Sequence, residues 1–323
     1  MDKTPAGKWI ELKYQWQGCS PWFSTARMHA ALHFVSAVNA PGEVSGLAEN
    51  GFNIGITCGE IRKGVRESLE AYASRCNQWL FVDSGAFSEV DFPKNAPPVV
   101  VRPLSDADWR DRLFDVYRWA ARTFGRRARV VAPDCVGDQV ETLRRLEKYA
   151  APMREIARAA TIIVPVQKGA LAMARMFEVS CGLLGLERLD VVAGIPMQKD
   201  ATSLEDVEAF ARSFEPGQRV HLLGIGPKAK NGRYALAIAA LKRGCPSVKI
   251  SSDSAVLVSL VGRTNGKGGG ARAYTKYQDV ARASKAPSHA VKDEALSMWR
   301  RDLYSIEDAY QARACANERG IGE

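Results

Sequence analysis

The chain has 323 residues, 46% of them hydrophobic, enough for a sizeable core and too many for a disordered segment. Its apolar runs fall well short of the roughly 18 residues a membrane span needs. The formal charge of +9 is concentrated: between Gly226 and Lys285 stand twelve Lys and Arg against only Asp253 and Asp279, the footprint of a polyanion binder.

The first residues, Met1-Asp2-Lys3-Thr4-Pro5, lack the basic-then-apolar pattern of a signal peptide, so a cytoplasmic protein with no membrane partner is expected. Seven scattered cysteines form no C-x-x-C or C-x-C pair. They read as reduced, mostly buried thiols, with no structural metal expected.

In chain order, residues 1–28 carry Trp9, Tyr14, Trp16, Trp22 and Phe23 with little periodicity and read as an N-terminal cap. Ala31-Leu32-His33-Phe34-Val35 is a first strand and Phe52 to Thr57 a second. Glu60 to Arg75 then places Ile61, Val65, Leu69 and Tyr72 at helical spacing. The apolar run Trp79-Leu80-Phe81-Val82 stops on Asp83-Ser84-Gly85-Ala86. Pro93, Pro97, Pro98 and Pro103 exclude a continuous helix over 86–105, which reads as a functional loop. Asp106 to Phe124 is an amphipathic helix with Trp109, Leu113, Val116, Tyr117 and Ala120 on one face.

A strand over 129–133 leads to Asp134, and Asp138 with Glu141 forms a helix-capping pattern. The helix behind it is expected to turn Val140, Leu143, Leu146 and Tyr149 inward. Strand 161–166 ends at Gln167 and precedes a helix over 170–184. Strand 189–194 precedes Ser203 to Phe214, again with a Ser203/Asp206 cap. Strand 220–224 leads through Gly226-Pro227 into Gly232 to Arg243, where His221 reads as a core residue. Strand 247–251 then reaches Asp253, with an apolar helix beginning near Ala255.

Strands alternating with helices give a parallel sheet with right-handed crossovers, and eight such units close most economically as a (β/α)8 barrel. An open doubly-wound sheet is the rival, but no G-x-G-x-x-G opens the first helix. One domain is expected: cap 1–28, barrel 29–262, and a basic loop with C-terminal helices over 263–323. In that last part Arg263 to Arg272 is glycine-rich and basic, suited either to contacting phosphates or to a plain connector. Leu296, Trp299, Leu303 and Ile306 form a docking stripe.

Four strands that each deliver an acid or amide at one end point to a catalytic rim. Two opposed carboxylates can perform double displacement at an anomeric carbon, one attacking and the other handling the proton. A third acid and a glutamine suit a purine-like edge, because carboxylates accept from N–H groups and amides both donate and accept. Any single strand-end Asp can also be a helix cap, which is the favoured reading for Asp138.

Asp83-Ser84-Gly85-Ala86-Phe87-Ser88 resembles the D-S-G-G-F-Q signature of tRNA-guanine transglycosylases. Pro133-Asp134, Val166-Gln167-Lys168-Gly169, Ala193-Gly194-Ile195, Leu222-Leu223-Gly224-Ile225-Gly226 and Asp253 follow in that family's order. The resemblance covers residues 79 to 255. It implies that Asp253 is the nucleophile on the ribose and Asp83 the general acid/base. It also implies that Ser84, Asp134, Gln167, Gly194, Gly224 and Gly226 bind the base, with Phe87 or Tyr234 available to stack on it.

The departures narrow the expectation. The zinc pattern C-x-C-x-x-C with a later His is missing, as is the basic P-T-R-N-G segment after the nucleophile, and Ala86 and Ser88 replace Gly and Gln. The pattern is more similar to the DNA-directed relatives, the DpdA family. These exchange guanine in DNA for a 7-deazaguanine such as 7-cyano-7-deazaguanine, in bacteria and phages. The expected partners are therefore DNA, with Lys228, Lys230, Arg233, Arg263, Lys267 and Arg272 on its backbone, and a free 7-deazaguanine base; no cofactor is implied. The resemblance leaves open a homodimer and partner proteins from a DNA-modification cluster. An RNA-directed transglycosylase without zinc, a glycosylase that only excises, and a non-catalytic nucleic-acid-binding barrel are the alternatives.

Overall fold

The computed structural model describes residues 32–49, 52–74, 77–91, 99–198, 201–226 and 232–255. Eight strands form the main sheet: β1 (Leu32–Val35), β2 (Asn53–Thr57), β3 (Leu80–Asp83), β6 (Ala128–Val131), β7 (Thr161–Pro165), β8 (Val192–Pro196), β9 (Arg219–Leu223) and β10 (Lys249–Ser254). They close in the order β1-β10-β9-β8-β7-β6-β3-β2, and every pairing is parallel. This is the expected (β/α)8 barrel. The proline-rich stretch contributes an antiparallel pair, β4 (Val90–Asp91) with β5 (Val99–Val100).

The strands form where apolar and β-branched residues run together, and the barrel interior follows from side chains alternating along each strand. Phe34, Phe81, Val131, Ile163 and Val192 pack against one another, with Leu32, Trp79 and Leu223 beside them. Each fully buried ring or branched chain there contributes about 1.5–3 kcal/mol. Asp83 follows Phe81 by two residues, so the alternation that buries Phe81 carries Asp83 to the inner rim.

The helices α1 (Pro41–Glu49), α2 (Lys63–Ala73), α4 (Gln139–Lys148), α5 (Ala150–Ala157), α6 (Met173–Leu184), α7 (Leu204–Ala211) and α8 (Arg233–Gly244) flank the sheet. The expected helix over 106–124, here α3, is Asp106–Asp111, a π turn Arg112–Tyr117 and Arg118–Phe124. Its stripe Trp109, Leu113, Val116, Tyr117 and Ala120 is buried as expected. Ser203 and Asp206 form a full capping box, and Asp138 accepts from the Glu141 N–H, so it is a helix cap.

Several boundaries differ from the sequence reading. β8 begins at Val192 because Leu189 and Asp190 lie in the turn before it. Asp253 lies inside β10 rather than after it. Leu146 and Tyr149 are buried as expected, but Val140 is 78% exposed and α4 also buries Gln139, Thr142 and Arg145, which have polar partners there. Cys58, Cys135, Cys181 and Cys245 are buried free thiols. No helix among the described residues is long and apolar enough to cross a membrane. The cap 1–28, the helix after Ala255, the basic loop and the C-terminal stripe lie outside the described residues, as do Lys228, Lys230, Arg263, Lys267 and Arg272.

Candidate active site

The chain reverses at the end of β3 on Gly85, whose φ of 76° favours glycine. The Gly85 N–H donates to Asp83 Oδ2 at 3.2 Å, and Arg112 Nε donates to the Ser84 carbonyl at 2.8 Å. Asp83 thus has a fixed backbone but few donors on its carboxylate. Burial, then the negative charges of Asp253 and Asp134, push its carboxyl up to about 7.

Asp134 follows β6. Its Oδ1 accepts from Ser84 Oγ at 2.8 Å, which ties the two strand ends together. Burial raises this carboxyl to about 6 despite that bond and the nearby Arg145. Beneath it Arg145 forms a buried double contact with Glu89, Nη1 to Oε1 at 2.6 Å and Nη2 to Oε2 at 2.7 Å, and Nη1 also reaches the Asp134 carbonyl. This pair joins α4, Asp134 and the turn after Gly85. Gln167 has its amide committed: Nε2 donates to the Cys135 carbonyl at 2.7 Å and to Thr142 Oγ1 at 3.2 Å, while Oε1 accepts from the Gly137 N–H. Its nearest approach to Asp134 is 3.5 Å, from Nε2 to Oδ2. Gln167 stiffens the loop that carries Asp134.

Asp253 is the opposite case. Its Oδ1 lies 3.1 Å from His221 Nε2 and accepts from the Gly224 N–H at 2.8 Å; Oδ2 accepts from Ser36 Oγ at 2.9 Å. Gly224 aims its N–H by adopting φ 71° just after β9, and a Cβ there would strike the Gln198 side chain. Burial alone would raise the Asp253 carboxyl. The donors from His221, Gly224 and Ser36 outweigh it and hold the group below the usual carboxylate range.

Asp83, Ser84, Asp134, Gln167, Gly224 and Asp253 all line one cavity of about 710 Å³ at the C-terminal ends of the strands. The other two glycines of the expected pocket do not line it. Gly194 packs against Ile163 and Leu223 within the barrel, and Gly226 against Ser254 and His33. Phe87 lines the cavity and is 41% exposed, whereas Tyr234 is buried beneath Ser252. Arg233 is half-buried, and its Nη2 donates to the Thr202 carbonyl at 2.9 Å. Ser36, His221, Arg145 and Glu89 were not singled out as site residues from the sequence. For His221 a signal was present: it is a polar residue two positions before Leu223, on the inner face of a barrel strand.

No family model matches the sequence, and no curated protein matches it. Among solved structures the chain is similar to a sialic acid aldolase catalytic-lysine mutant from Ruminococcus gnavus, at 10% identity and a TM-score of 0.43, over 90% of this chain and 97% of that one. It is also similar to D-allulose 3-epimerase from Methylomonas sp. in complex with D-allulose, at 11% identity and a TM-score of 0.40, over 84% of this chain and 97% of that one. At such scores these likenesses carry no argument about substrate or chemistry. The barrel stands on its own strand order.

Proposed function

We propose that this chain is a base-exchanging transglycosylase that replaces guanine in DNA with a 7-deazaguanine through a covalent Asp253–deoxyribose ester. The observation that carries the reading is the split between two carboxylates of one cavity. Asp83 is pushed up to about 7 and Asp253 is held low. Such a split is how one site assigns an acid and an anion at the same pH. The cavity volume falls in the range of small-molecule sites, about 300–1,000 Å³, and the signature order of residues 79 to 255 supplies the base-exchange chemistry.

The target guanine leaves the stack, since C1′ is out of reach within a duplex. Asp253 attacks C1′, the glycosidic bond breaks, and the departing base takes a proton from Asp83. The incoming 7-deazaguanine gives a proton back to Asp83 as its ring nitrogen attacks C1′, and the Asp253 carboxylate is released. Asp134, whose Oδ2 has the long 3.5 Å approach of Gln167, faces the base edge. The basic Gly226–Lys285 stretch supports a polyanionic substrate.

The test is incubation of the purified protein with guanine-containing DNA or unmodified tRNA, each with and without 7-cyano-7-deazaguanine, followed by nucleoside mass spectrometry. A modified deoxynucleoside is expected. A modified ribonucleoside alone would move the activity to RNA, abasic DNA alone would mean excision, and no product in either arm would contradict the reading.

A further inference from the structure

His221 stands opposite Ser251 in the β9–β10 register, and both are fully buried. The ring is stacked on Phe81 with centroids 4.8 Å apart and tilted against Phe34 at 5.9 Å, so it has one orientation. Its Nδ1 lies 2.9 Å from Ser251 Oγ, which accepts from Arg129 Nη1 at 2.6 Å. A buried line of hydrogen bonds therefore runs from the Arg129 cation through Ser251 and His221 to Asp253.

The proton positions follow from the partners. A carboxylate only accepts, so His221 Nε2 carries the proton and Nδ1 is left as an acceptor; the single Ser251 hydroxyl proton lies between Nδ1, 2.9 Å away, and the Val220 carbonyl, 3.0 Å away. The charged or titratable groups that face the ring are Asp253 from β10, Arg129 from β6 and His33 from β1. Burial, with Arg129 assisting, keeps the imidazole neutral against the pull of Asp253. Asp253 thereby gains a hydrogen bond without losing its negative charge to a proton.

We propose that His221 is the positioning residue of the nucleophile: with the Gly224 N–H it pins Asp253 Oδ1, leaving Oδ2 as the oxygen that attacks C1′. This rests on the base-exchange reading above. In the first half-reaction an Oδ2 lone pair forms the bond to C1′. The electron pair of the C1′–N bond leaves with the base, which is protonated by Asp83. Oδ1 becomes the ester carbonyl oxygen, still held by His221 and Gly224. In the second half the incoming nitrogen attacks C1′, its proton passes to Asp83, and the C1′–Oδ2 pair returns to the carboxylate. Two donors waiting on Oδ1 stabilise that returning charge.

The variant His221→Phe isolates the bond. A phenyl ring fits between Phe34 and Phe81, and Ser251 still accepts from Arg129 and gives its hydroxyl proton to the Val220 carbonyl, 3.0 Å away. Two readouts are needed. The first requires no substrate: the ¹³C carboxyl resonance of Asp253, assigned by its loss in Asp253→Asn, is titrated in wild type and H221F. Its midpoint is expected to rise by about one pH unit, the size of a lost donor to the charged form. The second is exchange kinetics. Here kcat is expected to fall about 10²-fold, as for loss of one preorganised donor, with KM little changed. His221→Gln, which can return an N–H to Oδ1, is expected to recover most of it.

An unmoved titration, or a kcat equal to wild type, would overturn the proposal, as would H221Q failing as badly as H221F. If H221F does not fold, Ser251→Ala reads the same titration, with a smaller upward shift expected and none contradicting. A wild-type protein that exchanges nothing would remove the base-exchange reading alone. The titration would then still decide whether His221 governs the Asp253 carboxylate.

Discussion

Asp83 on β3 and Asp253 on β10 have the same side chain and line one cavity at the same barrel rim, yet their surroundings drive them apart. Around Asp83 there are two backbone N–H groups, of Gly85 at 3.2 Å and of Ser84, and two neighbouring negative charges. Around Asp253 there are a ring N–H, a backbone N–H and a hydroxyl. Burial raises both; only Asp253 has the donors to reverse it. The difference teaches that the division of labour lies in what reaches each carboxylate, not in how deep each one sits.

The largest effect expected is from Asp253→Asn, which keeps the shape and most hydrogen-bond partners but removes the attacking anion. Exchange of labelled guanine into DNA falls by at least about 10⁴-fold, as when a covalent nucleophile is lost. Residual exchange near wild type would end the assignment. Asp83→Asn is next, with a loss of about 10²–10⁴-fold, the range for a general acid/base. It also erases the alkaline limb of the kcat/KM profile, which in wild type falls as pH rises through about 7 because Asp83 must be protonated to release the base.

The buried Arg145–Glu89 pair beneath Asp134 tests whether the frame under the rim matters. Arg145→Met strands the buried Glu89 without its cation, and the expected cost is about 3–5 kcal/mol of stability in urea unfolding. Converting Glu89 to Gln in the same protein recovers part of that cost. A smaller effect sharpens the contrast with Asp253. A carboxyl raised in the folded state binds its proton more tightly there than when unfolded. Asp83 thus contributes stability that is complete below pH about 4 and is lost as pH rises through about 7. Asp83→Asn is therefore expected to raise Tm relative to wild type at pH 8 and to change it little at pH 4.

The barrel and the strand-end acids were legible because each apolar run breaks on a polar residue, as Leu80-Phe81-Val82 does on Asp83. Asp138 was legible as a cap for the same local reason. What the sequence hid depends on contacts between distant strands. His221 looks like core until the register sets it opposite Ser251 and places its ring under Asp253. Val140 fits a helical stripe, but α4 buries Thr142 and Arg145 instead, since Cys135 and Glu89 receive them. Gln167 ends its strand as expected, while its amide is spent on Cys135, Thr142 and Gly137. Apart from Cys135, seven residues before Thr142, these partners lie too far along the chain for periodicity to read.

The most direct measurement is the mass of the enzyme–DNA adduct after acid quench during turnover, followed by peptide mapping. The expected result is a deoxyribose ester on the peptide that carries Asp253, absent in Asp253→Asn and formed more slowly in Asp83→Asn. An adduct on Asp83 or Asp134, or steady exchange with no adduct at all, would contradict it.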